Sequence, residues 1–308
     1  MATYSLVTLC CTKESRLSCL QARSIAKYME RGLFREIVVI ANEPPKMPVG
    51  FHTELRTNYG HYFNPIVKVI NAHQLTPDYP TESSWFSQQA LKLLVARFVT
   101  SDYYMVIDAK NHLVFPFSRK DLEANGKPRN YYQGYVPRVG HVHSLLPYLE
   151  ASANYFGLNP RKFIPKFVPT TTPFVIPTRI AREMMERVEW QENCSFAEAF
   201  LNMRPRLSEF FMLGAYIARD QLLEDVYDMS ADKYTIIWKE DPSDEHVRQE
   251  IARTEKEKLP FFAIHRSALP LLKHGTRNRI ADFWVRRGLF HTRKAAIANL
   301  EPQYEMAR

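Results

Sequence analysis

Short runs of apolar, β-branched residues recur along the first third of the chain, each followed by a polar turn or a segment of helical period. Tyr4–Cys11 is the first run, Thr12-Lys13-Glu14-Ser15 its turn, and Ser15–Met29 the predicted helix. Glu36–Ala41 is the second run, closed by Asn42-Glu43-Pro44-Pro45. Ile66–Ile70 is the third, reached through a loop with a short helix predicted near Thr53–Asn58. From Ser84 to about Thr100, apolar residues fall at Leu91, Leu94, Val95 and Phe98, the i, i+3, i+4, i+7 stripe of a helix packed on a sheet. That helix leads into the run Tyr103–Ile107, which stops at Asp108-Ala109-Lys110-Asn111-His112. The alternation predicts an α/β fold with a mostly parallel sheet and helices on both faces.

Downstream, Phe115-Pro116-Phe117 turns the chain into Ser118–Tyr135, which is polar, aromatic and basic, with a turn at Asn125-Gly126. A loop of this kind beside a sheet edge often covers a site. Helices are predicted over Arg138–Asn154, Arg179–Glu189, Phe196–Asn202 and Ser208–Asp220, and an edge strand over Thr172–Pro177, between prolines. Tyr234–Trp238 and Phe261–His265 read as late strands separated by the charged helix Ser243–Lys258, and Leu269–Ala298 as a basic helical segment.

Composition narrows the class. With 45% hydrophobic residues in 308, the chain can bury a large core as one big α/β domain or two smaller ones. No apolar run approaches the eighteen or so residues of a membrane span, and the N-terminus has no basic leader pattern, so a cytoplasmic protein is expected. Cys10, Cys11, Cys19 and Cys194 lack metal-ligand spacing and read as reduced core thiols. From Arg266 to Ala296, eight Lys and Arg face the single acid Asp282, a net of +7. Such a segment attracts nucleic acid, an anionic membrane surface or an acidic glycan, or is a solvated face.

The chemistry gathers at the end of the Tyr103–Ile107 run, because open α/β sheets present ligands at the carboxyl ends of their strands. Asp108 there is a candidate for a metal, a ribose hydroxyl, or a turn-capping role. Two acids one residue apart would suit a hard cation, but the second position is Lys110, a cation able to neutralise a phosphate itself. Gln88 and Gln89 lie in the first half of the preceding helix and would approach the same edge. Glu209 opens a largely apolar helix, and His265-Arg266 closes a strand that could reach Asp108. His112, His141 and His143 are further candidates, without an acid beside the latter pair. No P-loop, GxGxxG, HExxH or Gly-x-Ser-x-Gly pattern is present.

Leu6-Val7-Thr8 leading into Thr12–Ser15, Trp85-Phe86-Ser87-Gln88-Gln89 with Lys92-Leu93, Tyr104–Asp108, and Ser208-Glu209-Phe210-Phe211 with Gly214 and Tyr216-Ile217 form a pattern. It resembles a bacterial family of unknown function whose members look like GT-A-type glycosyltransferases. The resemblance spans roughly Tyr4 to Ile217 and implies sugar transfer from a nucleotide-activated donor to a surface glycan such as capsule or lipopolysaccharide. It implies a single GT-A-like domain: a nucleotide-sugar half at 1–117, an acceptor and catalytic half at 118–265, and a basic extension at 266–308. Thr8, Thr12 and Lys13 would lie near the donor base, and Gln88, Gln89 and Lys92 on the donor side, with Asn111, His112, His265 and Arg266 nearby. Glu209 would be the base, and Asp108 and Lys110 would complete the catalytic set. A divalent Mn or Mg is implied too, although Lys110 stands where the family pattern has its second acid. Expected partners are the donor, a glycan or lipid-linked glycan acceptor and an anionic membrane surface at which the protein sits peripherally; nucleic acid is not expected. Two other readings are a non-catalytic basic module for nucleic acid or anionic lipid, and a nucleotidyltransferase.

Overall fold

The computed structural model describes residues 1–43, 47, 49–77, 85–137, 143–203, 207–231 and 234–301. Pro44, Pro45, Ser84, His141 and the start of the predicted Arg138–Asn154 helix lie outside the described residues. Among those described, the strands are β1 (Tyr4–Cys10), β2 (Ile37–Ala41), β3 (Val67–Asn71), β4 (Tyr103–Asp108), β5 (Asn111–Leu113), β6 (Glu123–Ala124), β7 (Lys127–Pro128), β8 (Phe174–Pro177), β9 (Thr235–Ile237) and β10 (Phe261–Ile264).

The main sheet has the order β3-β2-β1-β4-β8, parallel throughout except for the antiparallel edge strand β8. Its two faces follow from the period-2 alternation of side chains along each strand. Val7, Leu9, Val38, Ile40, Tyr104 and Val106 point to one core, with the helices Trp85–Leu94, Thr178–Glu192 and Glu209–Asp220. Leu6, Cys10, Ile37, Val39, Met105 and Ile107 point to the other, with the helices Ser15–Tyr28 and Phe51–Tyr59. The inner strands β1, β2 and β4 are therefore buried on both faces and read as continuous apolar runs, whereas the edge strand β3 is buried only at Ile70 and carries the exposed Lys68.

The predicted helix over 84–100 is shorter in the structure. It runs Trp85–Leu94 and tightens into a 3₁₀ turn, Val95–Arg97. The Arg182 guanidinium donates to the carbonyls of Ala96 and Val99, at 2.7 Å each, and so takes up acceptors left at the helix end.

Two further regions depart from the sequence pattern. The stretch after Phe117 forms a capped helical turn, Arg119–Leu122, and the β6–β7 hairpin, with Asn125 and Gly126 at φ 53° and 74°. Positive φ at both central residues is the demand of a type I′ turn, which Asn-Gly meets. This hairpin sits at the amino edge of the main sheet, where Tyr4 Oη donates to Glu123 at 2.9 Å, whereas the far end of the same stretch, at Gln133, reaches the cavity beside Asp108. The residues after Asp108, read as the polar end of the Tyr103–Ile107 run, form a separate strand, β5, which pairs antiparallel with β10; β10 in turn pairs parallel with β9.

The C-terminal segment is a 3₁₀ turn, Arg266–Leu271, and two helices, His274–Arg286 and Arg293–Leu300. Ile280, Phe283, Trp284 and Leu300 form a third core with Leu17 and Leu20 of the first helix and Ile237, Phe262 and Ile264 of the second sheet.

Candidate active site

Parallel pairing in register, Leu9 beside Asp108, brings the end of β1 and the end of β4 to one edge. The helix Trp85–Leu94 crosses above the sheet and delivers Lys92 to that edge, and the first turn of Glu209–Asp220 delivers Glu209. Lys92 Nζ lies 2.9 Å from Asp108 Oδ1 and 3.0 Å from Glu209 Oε1. Lys110 Nζ closes on Asp108 Oδ2. The four form an alternating chain, Glu209–Lys92–Asp108–Lys110. Lys92, Lys110 and Glu209 are buried, and the Asp108 side chain is 28% exposed.

Neutral groups fix this chain in place. The Thr172 hydroxyl lies 2.8 Å from Asp108 Oδ2 and 2.7 Å from Asn111 Oδ1. The Asp108 amide donates to Asn111 Oδ1 at 2.9 Å, and Gln21 Nε2 donates to the carbonyls of Asp108 and Asn111. Ser208 Oγ lies 3.2 Å from Glu209 Oε2, and the Glu209 amide donates to Gln89 Oε1 at 3.3 Å.

The charges decide protonation. Burial would raise the Asp108 carboxyl, but Lys110 and Lys92 overcome it and hold it far below the usual carboxylate range. Burial would likewise discharge Lys92; Asp108 and Glu209 reverse that and keep its pKa above the ordinary lysine value. His265 is pushed down to about 4, by burial first and then by Lys110. Glu14 is raised, chiefly by burial, against the pull of Arg266.

These groups floor a cavity of about 640 Å³. It is lined by Trp85 and Gln88 of the helix Trp85–Leu94, by Gln133 and Thr171, by Trp238 after β9, by His246, Glu250 and Arg253 of the helix Asp244–Glu257, and by His265. Of the expected site residues, Gln88, Lys92, Asp108, Lys110, Glu209 and His265 line it. Gln89 and Asn111 stand behind as supports. The others do not line it. Thr8 is buried inside β1; Thr12 and Lys13 lie in the turn after β1, where the Thr12 amide donates to Glu43 at 3.2 Å. His112 is buried beneath Trp284, and Arg266 is exposed, with a nitrogen 4.0 Å from Cys11 Sγ. His143 is half-buried and stacks edge-on against Tyr135.

A divalent ion fits this arrangement poorly. Hard cations are held by carboxylate and carbonyl oxygens, and both oxygens of Asp108 are already met by ammonium groups. Among the described residues, no cluster of three or more His, Cys, Asp or Glu is placed to hold a metal.

A family model described as a family of unknown function, DUF6492, matches residues 9–285. The chain belongs to DUF6492. No curated protein matches it. Among solved structures it is similar to the apo WbbM bifunctional glycosyltransferase, at 12% identity and a TM-score of 0.45, covering 86% of this chain and 45% of that one. It is similar to the galactosyltransferase LgtC in complex with donor and acceptor sugar analogs, at 10% identity and a TM-score of 0.41, covering 68% and 69%. It is also similar to glucosyl-3-phosphoglycerate synthase from Mycobacterium tuberculosis in complex with Mn²⁺, UDP and glucosyl-3-phosphoglycerate. There the identity is 14%, the TM-score 0.35 and the coverage 58% of each chain.

In this DUF6492 chain several site residues escape sequence reading. Thr172, Gln133, Trp238 and Arg253 carry no motif and come from four separate stretches of chain, three of them outside the helices and strands, which only the tertiary fold brings together. In the basic C-terminal segment, three of the eight cations meet acids: Arg279 pairs with Asp244, Arg286 with Glu255 and Arg293 with Asp282. Among the described residues no helix is long and apolar enough to cross a membrane.

Proposed function

We propose that the cavity transfers a glycosyl group from a nucleotide-activated donor to a hydroxyl of a glycan, on a GT-A-like fold. The observation that carries the reading is the Glu209–Lys92–Asp108–Lys110 chain at the carboxyl edge of the sheet. Sugar transfer needs a base for the acceptor hydroxyl, positive charge for the leaving phosphate, and fixed positions for both. Glu209 has one oxygen held by Lys92, leaving Oε2 towards Ser208. Asp108, held far below the ordinary carboxylate range, is the poorer base.

The acceptor hydroxyl gives its proton to Glu209 while its oxygen bonds to the anomeric carbon. The bond from that carbon to the phosphate oxygen breaks, and the electron pair leaves with the nucleotide. Lys110 meets the new charge, an attraction of about 4 kcal/mol at 4 Å and an effective dielectric of 20. Asp108 holds Lys110 and Lys92 apart and aimed. No step passes through a metal ion. The surface-glycan acceptor, with peripheral attachment at a membrane, belongs to the same proposal and rests on the sequence resemblance.

A basic binding module draws on the same C-terminal segment, in which Arg279, Arg286 and Arg293 are paired with acids and the other five cations would have to hold the partner. The test is a thermal-shift panel of nucleotide sugars with and without divalent metal, followed by product analysis. Stabilisation by a nucleotide sugar, release of nucleoside mono- or diphosphate, and loss of turnover in Glu209→Gln with donor binding kept are expected. Unchanged turnover in that variant removes Glu209 as the base, release of pyrophosphate favours nucleotidyl transfer, and strict Mn²⁺ dependence overturns the role of Lys110.

A further inference from the structure

The two walls of the cavity differ in charge. On the helix Trp85–Leu94, the positions Trp85, Gln88 and Lys92 fall at i, i+3 and i+7, so they form one stripe along the cavity. At a rise of about 1.5 Å per residue, the indole stands on the order of 10 Å outward from Lys92 along the axis. Gln133, Ser144, Thr170 and Thr171, all uncharged, line the same cavity and are counted with this stripe as one wall. Lys110, His246, Glu250, Arg253 and His265 line the rest of it.

Three observations mark the uncharged wall as a binding surface for sugar rings. Trp85 is 50% exposed, and the edge of Tyr148 fixes it at 5.6 Å between centroids. An exposed aromatic face offers area with little rotamer entropy to lose. Gln133 Oε1 is buried and has no hydrogen-bond partner among the described residues, an acceptor whose desolvation is uncompensated until a donor arrives. Glu209 lines the same cavity as Trp85, Gln88 and Gln133, with Ser208 beside it, so a ring bound on this wall shares the cavity with the base. Hydroxyl-bearing rings present apolar C–H faces to an indole and O–H donors to amides, which is the chemistry this wall matches.

We propose that the Trp85–Gln88–Gln133 wall is the acceptor subsite and that it selects an uncharged oligosaccharide, with Trp85 the platform for a ring remote from the reacting one. This rests on the glycosyltransferase reading, and it moves Gln88 from the donor side to the acceptor side. Among the described residues, anionic glycans find no cation on this wall except Lys92, which Asp108 and Glu209 already occupy.

The test uses saturation-transfer NMR with neutral trisaccharides of glucose, galactose and rhamnose, and with trigalacturonate as the anionic probe. Neutral probes are expected to bind and the anionic one to bind at least tenfold more weakly. Trp85→Ala is expected to lose at least tenfold in affinity, Trp85→Phe to keep most of it, and Gln133→Leu to weaken binding several-fold, with the melting temperature monitored throughout. Equal or tighter binding of trigalacturonate, no binding of any neutral probe, or unchanged binding in Trp85→Ala overturns the inference. The thermal shift of the wild type with nucleotide sugars is read on the same samples. A donor shift without neutral-glycan binding sinks this inference alone, whereas absence of any donor shift sinks the transferase reading beneath it.

Discussion

The indole N–H of Trp284 donates to Nε2 of His112 at 2.8 Å, across 172 residues of sequence. That contact sets the imidazole's tautomer: Nε2 accepts, so the proton sits on Nδ1, which faces the Lys110 carbonyl at 3.3 Å. A buried helix of the C-terminal segment thereby steadies the strand that follows Asp108. Replacing Trp284 with Phe keeps much of the apolar volume and leaves buried Nε2 without its donor. Trp284→Phe is expected to cost about 1–3 kcal/mol, read as a lower urea midpoint. A midpoint equal to wild type would mean that the contact contributes nothing.

Lys92 supports two carboxylates at once, so its removal leaves both without their shared cation in a buried setting. Lys92→Met is expected to destabilise by about 3–5 kcal/mol. Adding Glu209→Gln should restore part of that loss, because one stranded charge is gone. A double-mutant cycle with no coupling between the two positions would contradict the chain of charges described above.

Acid should weaken the fold before the carboxylates titrate. Burial lowers His112 to about 3 and His265 to about 4, whereas the unfolded histidine value is about 6.5. The unfolded chain therefore binds more protons below pH 6.5, and the stability these two residues contribute is full above that pH. It is lost progressively as the pH falls towards 4 and then 3. Urea midpoints should be flat from pH 8 to 7 and decline from pH 6 to 4. A profile level down to pH 4 would show that neither histidine is held neutral.

Gly214 packs its helix against the chain at Phe167-Val168. A Cβ there would stand 2.8 Å from Val168 Cγ2 and 3.0 Å from Phe167 Cζ. Gly214→Ala is expected to cost about 1–3 kcal/mol through overpacking, despite alanine's better helix propensity. Thermal unfolding decides it, and a rise in melting temperature would show that the two side chains move aside freely.

The surface pairs of the basic segment should matter far less. Arg286 and Glu255 are half or one-third exposed, at 52% and 35% of their side chains. Arg286→Ala is expected to change stability by less than about 1 kcal/mol. A larger loss in urea titrations would mean that this pair is part of a network.

Much of the fold is legible in the chain because the main sheet is buried on both faces. The runs at Tyr4, Glu36 and Tyr103 must be nearly continuously apolar, the edge run at Ile66 can carry Lys68, and a strand ending in Asp108 must present it at an edge. The short strand Asn111–Leu113 was not legible, since three residues carry no periodicity and His112 is apolar only in its surroundings. The helix end at Leu94 depends on Arg182, which no local pattern announces.

By itself, the sequence determined the alternation of elements, the parallel sheet and the polar edge at Asp108, since burial and period act locally along the chain. Tertiary structure alone decided that Lys92 would reach Glu209, 117 residues away, and that Lys110 would be a partner of Asp108 rather than a free cation. It also decided that uncharged residues such as Trp85 and Gln133 would share one cavity with Lys110 and Arg253. Pairings of this kind rest on the crossovers that bring distant elements within 3 Å of one another, and charge at such range outweighs what any single residue type predicts.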